Sequence, residues 1–176
     1  MATELRPDKI LLEIVTPKGR ALLVSTDEVT APSVEGEFGV MPGHLPLLAA
    51  LRTGIVSYRI GADVKKVAVG PGFAEAGPEK VSILTDEYIE RDHIDPVLVR
   101  KELQEVQAKI AAFDAKPADE AEEEGREALV HRENWLAAQL ELYGDPPPAT
   151  MRPFETFGPP EPPDEADVPL PHDGAN

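Results

Sequence analysis

The residues able to do chemistry are scattered along this chain. Its four histidines, His44, His93, His131 and His172, stand far apart, and no two share the spacing of one helical turn that a metal centre on a helix uses. Asp92 lies beside His93, but adjacent residues of a strand or turn point different ways. There is no cysteine, hence no disulfide framework and no thiolate chemistry. Neither a Gly-x-x-x-x-Gly-Lys phosphate loop nor a Gly-x-Ser-x-Gly nucleophile elbow occurs. Gly70-Pro71-Gly72-Phe73 is glycine-rich, yet Pro71 removes an amide that a phosphate cradle would use, so it reads as a bend. No catalytic group, cofactor or metal is expected.

The chemistry that remains is recognition. Gly36-Glu37-Phe38-Gly39-Val40-Met41-Pro42-Gly43-His44-Leu45-Pro46-Leu47-Leu48 packs three glycines, two prolines and a histidine ahead of an apolar run. Glycine admits positive φ and proline fixes φ, so this segment is expected to be a shaped loop. A bulky residue at Gly39 or Gly43 is expected to strain it wherever φ is positive. Glu37 is expected at the surface, because a buried carboxylate without a partner is costly. His44 has two readings: a ring that bonds the loop backbone and holds its shape, or a contact with a partner.

Bulk properties agree with a recognition role. The 176 residues allow one domain with an appendage. Net charge is −16, spread unevenly: residues 1–90 hold 9 Lys+Arg against 13 Asp+Glu, residues 91–176 hold 8 against 20. Such a chain is repelled by phosphate backbones and anionic lipid, so no nucleic-acid partner is expected. No run approaches the roughly 18 apolar residues of a membrane span. Met1–Asp8 lacks a basic region followed by an apolar one, so neither a secretory signal nor direct membrane insertion is expected.

Three segments must position the glycine-rich loop. Over 8–91, short apolar runs alternate with Gly/Pro punctuation: Ile10–Val15, Ala21–Val24, Asp27–Pro32, Leu47–Leu51, Ile55–Ile60, Lys66–Val69, Phe73–Glu75, Val81–Leu84 and Tyr88–Glu90. That rhythm predicts a β-sandwich or barrel, with the first two runs as a hairpin. Over 92–144 the period becomes helical. Asp95-Pro96 is a helix start, and Val99, Leu103, Val106, Ile110 and Phe113 form one stripe. A second helix begins in the acidic run Asp119–Glu124 and carries Leu129, Leu136, Leu140 and Tyr143, with Trp135 and Leu142 beside them, up to Gly144. The two are expected to fold back as an antiparallel hairpin. From 145 to 176, ten of the chain's 19 prolines sit among acidic residues, a composition that predicts a disordered tail.

The glycine-rich segment resembles the most recognisable stretch of the epsilon subunit of F-type ATP synthases, related to the mitochondrial delta subunit. That family's second marker, Gly-Gly-Phe-x-Glu followed by a strand ending Val-x-Val-Leu-Ala-Asp, is similar to Gly70-Pro71-Gly72-Phe73-Ala74-Glu75 and Val81-Ser82-Ile83-Leu84-Thr85-Asp86. Pro71 interrupts the glycines and Thr85 stands at the usual alanine. The resemblance spans about residues 8–143. It implies a sandwich of about ten strands in two sheets, followed by a helical hairpin. It also implies a non-catalytic central-stalk subunit of a proton-translocating enzyme, joining the gamma subunit to the c ring, with the hairpin able to reach the alpha/beta head and regulate hydrolysis. By motif match, Glu37, Phe38, Met41 and His44 would meet the c-ring loops. The implied location is peripheral, on the cytoplasmic side of a bacterial inner membrane.

Two departures bear on regulation. The nucleotide motif of some members, Ile-Asp-x-x-Arg-Ala, reads Ile94-Asp95-Pro96-Val97-Leu98-Val99, with Leu98 at the arginine. Residues 96–143 hold 6 Lys+Arg against 11 Asp+Glu, which disfavours charge pairing in an acidic head. The competing readings are a β-sandwich protein-recognition module with a helical arm, unrelated to ATP synthesis, and a small hydrolase with a perturbed carboxylate or histidine cluster.

Overall fold

Ten strands and two long helices follow one another in the computed structural model, which describes residues 8–115 and 120–145, with side chains for 120–124 left aside. The expected tail therefore lies, beyond Asp145, outside the described residues. Strands β1 (Ile10–Thr16) and β2 (Gly19–Thr26) form the anticipated hairpin, antiparallel with a bulge between Ile14 and Val15. They are followed by β3 (Glu28–Ser33), β4 (Gly36–Val40), β5 (Leu47–Leu51), β6 (Gly54–Ile60) and β7 (Asp63–Val69), then β8 (Gly72–Ala76), β9 (Lys80–Thr85) and β10 (Tyr88–Glu90).

The ladders run β10-β7-β6-β3-β5-β8-β9-β1-β2, with β4 added to β3. The two faces of the sandwich are thus continuous through the β3–β5 contact, where Ser33 meets Leu51. β1 and β9 pair in parallel and the other ladders are antiparallel. Strict alternation drives the core: Ile10, Leu12 and Ile14 of β1 face inward and are fully buried, as are Val81 and Ile83 of β9. With Val29, Val40, Val56 and Val69 they form one contiguous cluster. Each such side chain contributes about 1.5–3 kcal/mol of burial.

The glycine-rich segment is less loop-like than its composition predicts. Gly36–Val40 is strand β4, paired residue by residue with β3 from Ser33↔Gly36 to Val29↔Val40. Tertiary pairing overrides the low strand propensity of glycine. Gly43 has φ +82 and keeps the constraint expected of it, whereas Gly39 is not among the positive-φ glycines.

A 3-10 turn (Arg91–His93) leads to α1 (Pro96–Asp114) and α2 (Glu120–Tyr143). The Asp95 side chain accepts from the backbone N–H groups of Val97 and Leu98, with Pro96 in the first turn, as the sequence signals. The helices pack on each other, and α2 packs on the outer face of β6 and β7, with Ile89 of β10 alongside. One cross-strand row on that face, Ile55–Ala68–Ile89, lies under Trp135, Leu136, Leu140 and Leu142. This double packing makes Trp135–Leu140 an unbroken buried run, broader than a single stripe. Tyr143, expected on the apolar face, is instead 38% exposed and lies beneath the Arg91 guanidinium, 5.6 Å from its ring centre.

Candidate functional site

The four residues of the glycine-rich segment divide into two places. On β4 the side chains alternate, so Glu37 points to solvent while Phe38 is half-buried against the sandwich core. Met41 lies just past the other end of the strand, about 13 Å of extended chain beyond Glu37. It is 54% exposed. His44 joins Met41 through its backbone N–H, which donates to the Met41 carbonyl at 3.1 Å, and Gly43 N–H donates to the Pro78 carbonyl at 2.8 Å. The His44 ring Nδ1 bonds the Leu45 carbonyl at 2.6 Å. His44 thus holds the backbone of its own turn, the shape-keeping role, while part of the ring stays accessible. Leu45 and Leu48 stand out at 80% and 73% exposure. The result is a turn that exposes Met41 and Leu45, followed by β5 with Leu48 on its outer face, and with an acidic residue at the far end of β4.

A second surface escaped sequence reasoning. On the outer face of β5, β8, β9 and β1, the registers Ala50↔Phe73, Phe73↔Leu84 and Val15↔Leu84 place four side chains in one row. Phe73 and Leu84 are more than half exposed. The neighbouring row carries Leu48, Glu75, Ser82, Glu13 and Leu23. This row matches Ile55–Ala68–Ile89 on the other layer, but there the hairpin covers it and here the apolar side chains stand open. Each strand supplies one member, so no local window of sequence contains the row. The signal was available only as outward-facing Phe73 and Leu84 within otherwise alternating strands.

Gly72 anchors this face. A Cβ there would stand 1.9 Å from the Leu84 carbonyl oxygen, so only glycine lets β8 approach β9. The Thr85 hydroxyl lies 3.1 Å from the carbonyls of both Pro71 and Glu87 and shares its one proton between them, tying the Pro71 bend to the following turn. The second sequence marker is therefore a close backbone crossing rather than a ligand loop.

Asp95 is committed to capping α1, and Leu98 is 63% exposed, with no cation beside it in sequence until Arg100. Among the described residues, no group of three His, Cys, Asp or Glu could hold a metal ion. No described helix is long and apolar enough to cross a membrane. A cleft of about 620 Å³ opens between the β1–β2 turn, the β9–β10 turn and α2, lined by Lys18, Arg20, Glu87, His93 and Trp135 among others.

Comparison with known proteins fits this architecture. Residues 9–91 match the family model described as ATP synthase, Delta/Epsilon chain, beta-sandwich domain. The ATP synthase epsilon chain 1 of Syntrophotalea carbinolica is 40% identical over 111 residues, covering 63% of this chain and 79% of that relative. The epsilon chain of Magnetococcus marinus is 36% identical over 129 residues, covering 73% and 90%. A chain of the Euglena gracilis mitochondrial ATP synthase, solved as an OSCP/F1/c-ring assembly, superposes with a TM-score of 0.65 at 25% identity, covering 80% of this chain and 84% of its own. A chain of the Tetrahymena thermophila enzyme, at 15% identity and a TM-score of 0.51, shares the fold. With four-fifths of a 40%-identical relative's length spanned, the chain belongs to the epsilon-chain family of ATP synthase, as a rotor-stalk subunit.

Proposed function

We propose that this chain is a non-catalytic coupling piece that binds the gamma subunit through the open row Ala50–Phe73–Leu84–Val15 and seats the Met41–Leu48 segment on the c ring. The carrying observation is the contrast between two equivalent sheet faces, one covered by the chain's own hairpin and one bare. An apolar row on a finished sandwich marks a surface built for a partner. Glu37, Met41 and His44 supply the contact with the ring, and Phe38 holds β4 from inside. In this reading the protein is peripheral on the cytoplasmic side of a bacterial inner membrane, serves a proton-translocating enzyme and turns over no ATP alone. The bacterial relatives and the c-ring assembly of the Euglena neighbour support the reading. Retrieval of partners by the tagged full chain from detergent-solubilised membranes tests it. Gamma and c subunits are expected together, and a chain recovered alone as a folded monomer would favour an independent recognition module.

A further inference from the structure

The cleft between the β1–β2 turn, the β9–β10 turn and α2 has an acidic and a basic side. Glu87 and Glu90 line it from the β10 side, exposed Lys18 from the β1–β2 turn, and Trp135 from α2. The acidic side is short of cations. Glu87 Oε2 has no hydrogen-bond partner. His131 Nε2 stands 3.7 Å from it and Arg132 Nη1 stands 3.9 Å from Oε1, while Arg132 bonds Glu102 at 2.7 Å. Glu90 accepts from the Tyr88 hydroxyl at 2.8 Å, and the neighbouring Arg91 is turned to Tyr143. The chain leaves α2 at the rim of this cleft. Tyr143 lies beneath Arg91, which the sequence sets between Glu90 and His93, and both of these line the cleft. The Asp145 N–H donates to the Leu140 carbonyl at 2.9 Å and its carboxylate meets Arg100, so the point of exit is held.

We propose that this cleft is a docking site for the chain's own segment Arg152-Pro153-Phe154-Glu155. Arg152 is the one Lys or Arg among residues 146–176, and it supplies the cation that Glu87 and Glu90 lack. A guanidinium is suited to this, because its fork of donors meets carboxylates at two points. Phe154 covers the apolar lining offered by Trp135 and Ile89, and Glu155 meets Lys18 on the opposite side. The segment thus presents a cation, an apolar ring and a carboxylate to carboxylates, an apolar lining and an ammonium. Reach is sufficient. Trp135 precedes Tyr143 by about 12 Å of helix, and the link from Asp145 to Arg152 spans up to about 25 Å. Pro153 has its φ already fixed, which lowers the cost of ordering the segment. The short tether also holds the segment near the cleft at an effective concentration on the order of millimolar. A contact too weak to form between separate chains is therefore populated within one.

Paired cysteines test the contact without background, because the chain has none of its own. In the full chain, Ala21→Cys in the cleft lining is combined with Thr156→Cys, which follows Glu155. The comparison is Lys66→Cys with Thr156→Cys. Lys66 is exposed on β7, two residues from the Ala68 that the hairpin covers, so the tether reaches it too. Disulfide closure is followed in dilute protein under a mild oxidant. The Ala21–Thr156 pair is expected to close at least about tenfold faster than the Lys66–Thr156 pair. Arg152→Glu, and separately Lys18→Glu, is expected to bring the Ala21–Thr156 rate down toward that of the comparison. Equal rates for the two pairs, an unaltered rate in either charge-reversed variant, or disulfides that form between chains rather than within one would overturn the assignment.

Discussion

Gly72 passes under Leu84 so closely that a single added carbon would stand 1.9 Å from the Leu84 carbonyl oxygen. This contact lets β8 and β9 pair at the spacing that brings Phe73 and Leu84 side by side on the open face. Gly72→Ala is therefore expected to destabilise the fold by about 1–3 kcal/mol or more, since backbone must move. Gly39→Ala meets nothing within 4 Å and is expected to stay within about 0.5 kcal/mol of the unaltered chain. Denaturant melts of the two variants check this contrast, and equal losses would refute it.

The open row should bind without stabilising. Leu84→Asp places a charge on a side chain that is already 54% exposed, so thermal stability is expected to change by no more than about 0.5 kcal/mol. Retrieval of the gamma subunit is expected to fall at least about tenfold, because a carboxylate inside an apolar contact is costly to desolvate. Gamma retrieved at the unaltered yield would move the docking surface elsewhere.

Much of the fold was legible in the sequence because its signals were local. Gly/Pro punctuation marked the strands, and Asp95-Pro96 marked the start of α1 through the bonds the Asp95 carboxylate makes. Strand β4 was read as loop, since Gly36 and Gly39 carry no strand signal and only the pairing with β3 makes it one. The α2 stripe understated burial, because a helix wedged between α1 and the sheet hides two faces. The open row and the Glu87–His131 approach were not legible at all. Each is assembled from residues distant in sequence, brought together by register and by helix docking.

Capping predicts what Asp95 does. Asp95→Ala removes the acceptor for the N–H groups of Val97 and Leu98 and is expected to cost about 0.5–2 kcal/mol, seen as faster amide exchange in the first turn of α1. With Asp95 so engaged and Leu98 in the arginine's place, titration of the unaltered chain with Mg-ATP is expected to give no saturable heat in the millimolar range. Saturable binding would show that this hairpin takes nucleotide by other residues.

Acid should loosen the sandwich at two ion pairs. The hydrogen bond from Lys80 holds the Glu13 carboxyl below its ordinary value, joining β1 to β9, and Lys9 with the Gly61 N–H does the same for Asp27. A depressed carboxylate adds stability that is present above its unfolded value, about 4, and is lost as pH falls through its folded value. The melting temperature is expected to drop between about pH 5 and pH 3, and Glu13→Gln with Asp27→Asn should make that drop shallower. An unchanged slope in the double variant would place the acid sensitivity in other groups.

The Met41–Leu48 segment is expected to rest on the c ring while the sandwich is carried on the stalk. Site-directed photo-cross-linking tests it most directly: a photoreactive group on Met41→Cys in the assembled enzyme, with the adducts identified by mass spectrometry. Met41 is exposed and the chain has no native cysteine to compete. An adduct with the c subunit is expected. An assembled enzyme whose Met41 adducts lie only on other subunits would contradict it.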